Sequence, residues 1–259
     1  MLNLKFKDYF LGRSKSTVLA NNSTISEYRN IISAIRLNHI ISTGVYANYL
    51  EIGVERGRTF EAIDSKIRVG VDPNPLFNHK RLPDNVSFFK MSSDEFFSSY
   101  NGNQFDLIFV DGLHTAYQTY KDVIESFRIL SSGGLILLDD VWPSDYASSI
   151  GDKPTSDKVK QELGIKHRRW YGDVYKVIPA LKYFLPEISI VILGNSTDSH
   201  AQALLSKPKN FELDFNRDKV INFMDSISYS EVFISANLKD PWKEFMSDEY
   251  FLSLKNVLK

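Results

Sequence analysis

The pattern that most constrains this chain is a series of short apolar runs, each of a length suited to a buried strand and separated from the next by enough residues for a helix. They are YANYLEIG, IRVGVD, VSFFKM, FDLIFVD and GGLILLDD, spread between residues 46 and 140. Each is rich in β-branched or aromatic side chains, and most close on an acid or a glycine. Strand and helix alternating in this way predict a doubly wound, mostly parallel sheet with helices on both faces. In such sheets ligands bind beyond the C-terminal ends of the strands, which is where the acids and glycines fall.

The flanking segments add to that core. NNSTISEYRN contains a Ser or Thr followed by Glu27, the signature of a helix N-terminus, and Ile31, Ile32, Ile35 and Ile40 continue at helical spacing until Gly44. After Asp140 the pattern loosens into 33 polar and partly basic residues, VWPSDYASSIGDKPTSDKVKQELGIKHRRWYGD, too long for an ordinary connection and expected to form a lid. A helix is expected from about Asp173 to Phe184, capped by Asp173. ISIVILGN and AQALLSK, with NSTDS between them, then predict an antiparallel hairpin at the sheet's edge. The expected organisation is an N-terminal helical extension over 1–45, a binding domain over 46–208 with the lid insertion at 142–170, and a mostly helical tail over 209–259.

Composition narrows the partners. The chain has 259 residues, Lys+Arg 31 against Asp+Glu 32 and a formal net charge of -1, so it lacks the basic excess that nucleic acid selects. No run approaches the roughly 20 apolar residues of a membrane span, and a cytoplasmic location is expected. Cysteine is absent, which leaves any metal to carboxylates and histidines and favours a hard ion such as Mg²⁺.

Three stretches carry chemistry. In LEIGVERGRT, Glu51, Gly53 and Gly57 form an E-x-G-x-x-x-G turn between a strand and a helix; such glycines let the backbone lie against a ligand, although a purely structural turn needs them too. Asp72 closes the next strand about 20 residues on, the place from which an acid accepts ribose hydroxyls; a solvated strand-end Asp is the alternative. In LIFVDGLH and GGLILLDD, Asp111, Asp139 and Asp140 end strands that neighbour each other in a doubly wound sheet. Three carboxylates at one rim repel unless a cation neutralises them, while helix capping and solvated strand ends are the competing explanation. His114, three residues past Asp111, is a candidate general base or a structural hydrogen-bonding residue.

The glycine loop of LEIGVERG, the acid of VGVD, SSDEFF after the third strand and VDGLH after the fourth resemble the class I S-adenosylmethionine-dependent methyltransferases over roughly residues 46–207. The likeness is to small-molecule O-methyltransferases with D-G-x-H after strand four, a group associated with sugar, antibiotic and polysaccharide tailoring. It implies a Rossmann-like sheet, with Glu51, Gly53 and Gly57 holding the methionine part of the cofactor, Asp72 its ribose, and Ser93 and Asp94 its adenine. It also implies Mg²⁺ on Asp111, Asp139 and Asp140 beside a sugar, glycoside or nucleotide-linked acceptor, with His114 taking the proton. Appended helices imply a homodimer contact or a cover over the cofactor.

The basic run Lys166, His167, Arg168 and Arg169, closed by Trp170, suits either an anionic substrate group or a solvated face. WYGDVYK resembles a recurring helix opening of the same group. His39, His79 and His200 have no partner pattern. Among rivals, a dinucleotide oxidoreductase requires G-x-G-x-x-G, which this loop lacks. An adenine methyltransferase motif is expected after strand four, whereas DPNPLF follows strand two. A non-catalytic cofactor-binding relative is the third alternative.

Overall fold

The computed structural model describes residues 22–80, 82–194, 201–207, 211 and 216–233. They fall into two compact units, one running to residue 112 and taking in 122–137, the other comprising 113–121 and 138 onward. Among the described residues the strands form a seven-stranded sheet, mostly parallel with one antiparallel edge hairpin, the doubly wound α/β class that the apolar runs predict.

In the first unit, helix α1 (Asn22–Ile41) precedes strand β1 (Asn48–Ile52), the short helix α2 (Arg58–Glu61), β2 (Ile67–Val71), β3 (Val86–Phe89), α3 (Ser93–Ser99) and β4 (Phe105–Val110). Helix α4 (Ala116–Ile129) and strand β5 (Leu130–Leu138) follow. The strand order is β3-β2-β1-β4-β5. Strands β1 and β4 read as continuous apolar runs because both of their faces are covered: Leu50, Leu107 and Ile108 are fully buried. Each such side chain contributes about 1.5–3 kcal/mol relative to leaving it in water.

The register aligns the strand ends. Ile52 lies opposite both Val71 and Val110. The ladder then runs one residue further, with Gly53 N–H donating to Val71 O at 2.9 Å and Asp111 N–H donating to Ile52 O at 2.9 Å. Gly53, Asp72 and Asp111 therefore leave the sheet at one level. Helix α1 is fastened to this unit by Asn38, whose Nδ2 donates to Ala62 O and whose Oδ1 accepts from Asp64 N, both at 2.8 Å.

In the second unit, the segment expected as a lid contains a 3-10 turn (Ala147–Ser149) and helix α5 (Lys153–Glu162). Asp152 caps α5 by accepting from Thr155 N. The helix expected from Asp173 begins instead as a 3-10 turn (Val174–Lys176) and becomes α6 only at Val177–Phe184. Asp173 makes no side-chain cap there, because its Oδ1 accepts from Ala116 N at 2.7 Å. Strands β6 (Ser189–Leu193) and β7 (Gln202–Ser206) pair antiparallel, Ser189 opposite Ser206 and Leu193 opposite Gln202, as the apolar runs predict. Their connection at 195–200, with His200, lies outside the described residues, as do the chain before residue 22 and after 233. Within the expected tail, α7 (Arg217–Asp225) and α8 (Tyr229–Phe233) are helical.

Candidate active site

The glycine loop of the first unit is built from backbone. Gly53 has φ +86°, and a β-carbon there would stand 2.0 Å from the carbonyl oxygen of Asp111, so only glycine lets the two strand ends approach. Gly57 has φ +73°, and a β-carbon there would meet Phe77 at 2.8 Å. Between them Glu55 holds φ 44° without being glycine. Asp72 fastens this turn: its Oδ2 accepts from Val54 N at 3.0 Å and Glu55 N at 2.8 Å, and its Oδ1 accepts from Asn74 N at 2.7 Å. A carboxylate oxygen has two lone pairs, so Asp72 retains capacity for ribose hydroxyls while it shapes the loop.

Glu51 sits beneath this loop rather than on it. It is 1% exposed, and Tyr49 Oη donates to its Oε2 at 2.5 Å. Burial pushes the Glu51 carboxyl well above the usual carboxylate range, against the opposing pull of the Tyr49 hydrogen bond. Ser93 and Asp94 occupy the first turn of α3, Ser93 half-buried and Asp94 exposed. That helix starts where it does because Ser92 and Glu95 form a reciprocal capping box: Ser92 N–H donates to Glu95 Oε2 at 2.8 Å and Glu95 N–H to Ser92 Oγ at 3.2 Å.

The second unit carries a centre built from side chains. His114 Nδ1 lies 2.9 Å from Asp140 Oδ2, and the same nitrogen lies 3.2 Å from the carbonyl oxygen of Trp170. The imidazole also stacks on the Trp170 indole, with ring centroids 5.1 Å apart and planes 21° from parallel. His114 and Asp140 both hold left-handed backbone, with φ 57° and 63°. A non-glycine residue in that region costs on the order of 1–3 kcal/mol and persists only where its surroundings hold it, often at a site of chemistry. Asp139 Oδ1 accepts from Asp140 N at 2.8 Å and so helps set the bend that aims Asp140 at His114.

Sequence reasoning placed the acids and His114 at strand ends but did not anticipate Trp170 against His114. The only signal for it was the aromatic residue that closes the basic run. Nor did it anticipate Tyr49 as the partner of Glu51, although two residues apart on one strand is the spacing of one sheet face.

Comparison with known proteins bears on both units. A family model described as "Methyltransferase domain" matches residues 50–141. The crystal structure of SAH-bound Podospora anserina methyltransferase PaMTH1 is similar at a TM-score of 0.50 and 15% identity, covering 80% of this chain and 94% of that one. A putative caffeoyl-CoA O-methyltransferase from Staphylococcus aureus is similar at a TM-score of 0.49 and 15% identity, covering 72% of this chain and 92% of that one. An O-methyltransferase from Bacillus cereus in complex with SAH gives a TM-score of 0.42 at 15% identity, covering 76% and 85%. No curated protein matches the chain. Residues 50–141 are thus similar to a methyltransferase domain, and the chain shares the fold of PaMTH1.

Proposed function

We propose that this protein is an O-methyltransferase that moves the methyl group of S-adenosylmethionine to a hydroxyl of a sugar, glycoside or nucleotide-linked sugar, assisted by Mg²⁺, in the cytoplasm. The observation that carries the reading is the contact between His114 Nδ1 and Asp140 Oδ2, made by two residues that both hold left-handed backbone. Strain of that kind is maintained where a side chain must be aimed. The loop of Gly53, Gly57 and Asp72 is the proposed cofactor cradle, with Ser93 and Asp94 toward the adenine and Glu51 supporting from below.

Asp111, His114 and Asp140 each offer one oxygen or nitrogen donor, a hard set without thiolate that suits Mg²⁺. We assign the ion to Asp111, Asp139 and Asp140, with Asp139 also orienting Asp140. Such an ion, when bound, supplies positive charge that lowers the pKa of a nearby hydroxyl. His114 takes the hydroxyl proton on Nε2. The acceptor oxygen bonds to the methyl carbon as the sulfur–carbon bond breaks, its electron pair staying with sulfur to leave S-adenosylhomocysteine. Because the sulfonium is already activated, the remaining task of the protein is alignment. Exposed Lys166 and Arg168, just before Trp170, favour an acceptor bearing a phosphate.

The test is transfer of a labelled methyl group from S-adenosylmethionine to a panel of free glycosides, uridine-diphosphate sugars and catechol, with Mg²⁺ or with chelator. Labelling of a sugar hydroxyl that falls in chelator supports the whole reading. Labelling of catechol alone would redirect the acceptor class, and labelling of an amine-bearing contaminant sugar at nitrogen would remove the O-transfer.

A further inference from the structure

We infer that the segment leaving β2, residues 72–77, is a buttress that sets the conformation of the cofactor turn 53–57, with Phe77 as a positioning residue for S-adenosylmethionine. The inference deepens the proposed role of that turn as cofactor cradle and rests on it. It starts from Glu55, which holds left-handed backbone at φ 44° without being glycine. Such a conformation persists only where its surroundings hold it. The Glu55 side chain is 70% exposed, so its burial offsets little of the strain. Both of its backbone polar groups are instead held by the β2 exit. Its N–H donates to Asp72 Oδ2 at 2.8 Å, and its carbonyl oxygen accepts from Leu76 N–H at 2.7 Å.

Two residues further on, the same segment presses on the end of the turn with a side chain. The Phe77 ring lies so close to Gly57 that a β-carbon there would stand 2.8 Å from its Cγ. That ring is itself wedged, its centroid 6.1 Å from Phe60 in α2 and 5.1 Å from Phe88 in β3, edge-on to both. Room for these two neighbours comes from Gly70 of β2, where a β-carbon would come within 3.0 Å of each ring. Edge-to-face pairs fix the orientation of a ring as well as its position. Pro73 and Pro75 stiffen the chain between Asp72 and Leu76, because each pyrrolidine locks φ. The turn is thus held at its middle and at its end by one short, stiff segment, and Phe77 anchors that segment to the sheet and to α2. The consequence for binding is preorganisation: the apparent dissociation constant rises in inverse proportion to the fraction of molecules whose turn is already in the binding conformation. Removing the Phe77 ring loosens Leu76 and opens space at Gly57, so that fraction falls.

The experiment is calorimetric titration of S-adenosylmethionine and S-adenosylhomocysteine into the full-length protein as wild type, Phe77→Tyr, Phe77→Leu, Phe77→Ala, Gly57→Ala and the Gly57→Ala/Phe77→Ala double variant. Phe77→Ala is expected to weaken both compounds about tenfold, the loss for a turn that is competent roughly one-tenth of the time. Phe77→Tyr keeps the ring and is expected to bind as wild type does. Phe77→Leu is expected to fall between them, and it carries the test if the alanine variant does not fold. Because Phe77 and Gly57 share one contact, the double variant is expected to lose less binding free energy than the two single variants together. Unchanged dissociation constants in Phe77→Leu and Phe77→Ala, with only the number of sites per molecule falling, would make the ring purely structural and overturn the inference. Strictly additive losses would make the ring a direct cofactor contact and overturn its positioning role. Failure of the cradle reading is distinguishable: neither compound would then bind even the wild type, which removes the cradle and the buttress with it.

Discussion

The glycine loop and the His114 centre solve the same problem, holding a strand end in an unusual backbone conformation, by opposite means. In the loop two of the three left-handed positions, Gly53 and Gly57, are glycines, and Asp72 ties the amides of Val54 and of Glu55, the third. In the His114 centre the left-handed positions are His114 and Asp140, and the contacts that hold them come from residues as far along the chain as Trp170. The first arrangement leaves strain at Glu55 alone and is local. The second keeps functional side chains where glycine would be easier for the backbone, and its strain is offset by long-range packing.

That contrast can be broken at several points. The largest expected effect is on turnover: His114→Gln should lower kcat by about 10²–10⁴ with little change in S-adenosylmethionine affinity, the range for losing a general base. Equal loss of binding would instead make His114 part of the cofactor cradle. Gly53→Ala should be next, destabilising the fold by on the order of 3 kcal/mol in urea titrations, because a β-carbon would overlap Asp111 O at a positive φ. An effect below 1 kcal/mol would mean that the strand ends can separate.

Glu51 sharpens the comparison through pH. Its folded-state carboxyl is raised by burial above the ordinary 4.5, so its contribution is complete below pH 4.5 and declines as the pH rises toward the folded value. Across that window the wild type should lose stability by up to about 1.4 kcal/mol per pH unit from this group. In Glu51→Gln that slope should vanish, and its persistence would assign the dependence to another residue. The smallest effect should come from the surface: Lys153→Ala removes a half-exposed pair with Asp157 at 3.0 Å and should cost less than about 1 kcal/mol. A larger loss would show that the Lys153 contact with the Trp170 indole also matters.

The same contrast explains what the sequence made legible. Parallel strands buried on both faces appear as unbroken apolar runs, so β1, β2, β4 and β5 and their polar ends could be found directly. The hairpin was visible from two such runs close together. Hidden were the pairings set by tertiary approach: Asp173 looked like a helix cap and instead serves Ala116, 57 residues away. Adjacent acids were also indistinguishable on paper. Asp139 and Asp140 differ because one bends the backbone for the other, and only the bend reveals which carboxylate reaches His114.

The central claim is most directly tested by calorimetric titration of S-adenosylmethionine and S-adenosylhomocysteine into wild-type protein and Gly53→Ala, with Mg²⁺ and with chelator. The account predicts saturable binding of both to wild type, with Mg²⁺ and with chelator alike, and binding weakened by the alanine. No binding of either compound under any condition would contradict it.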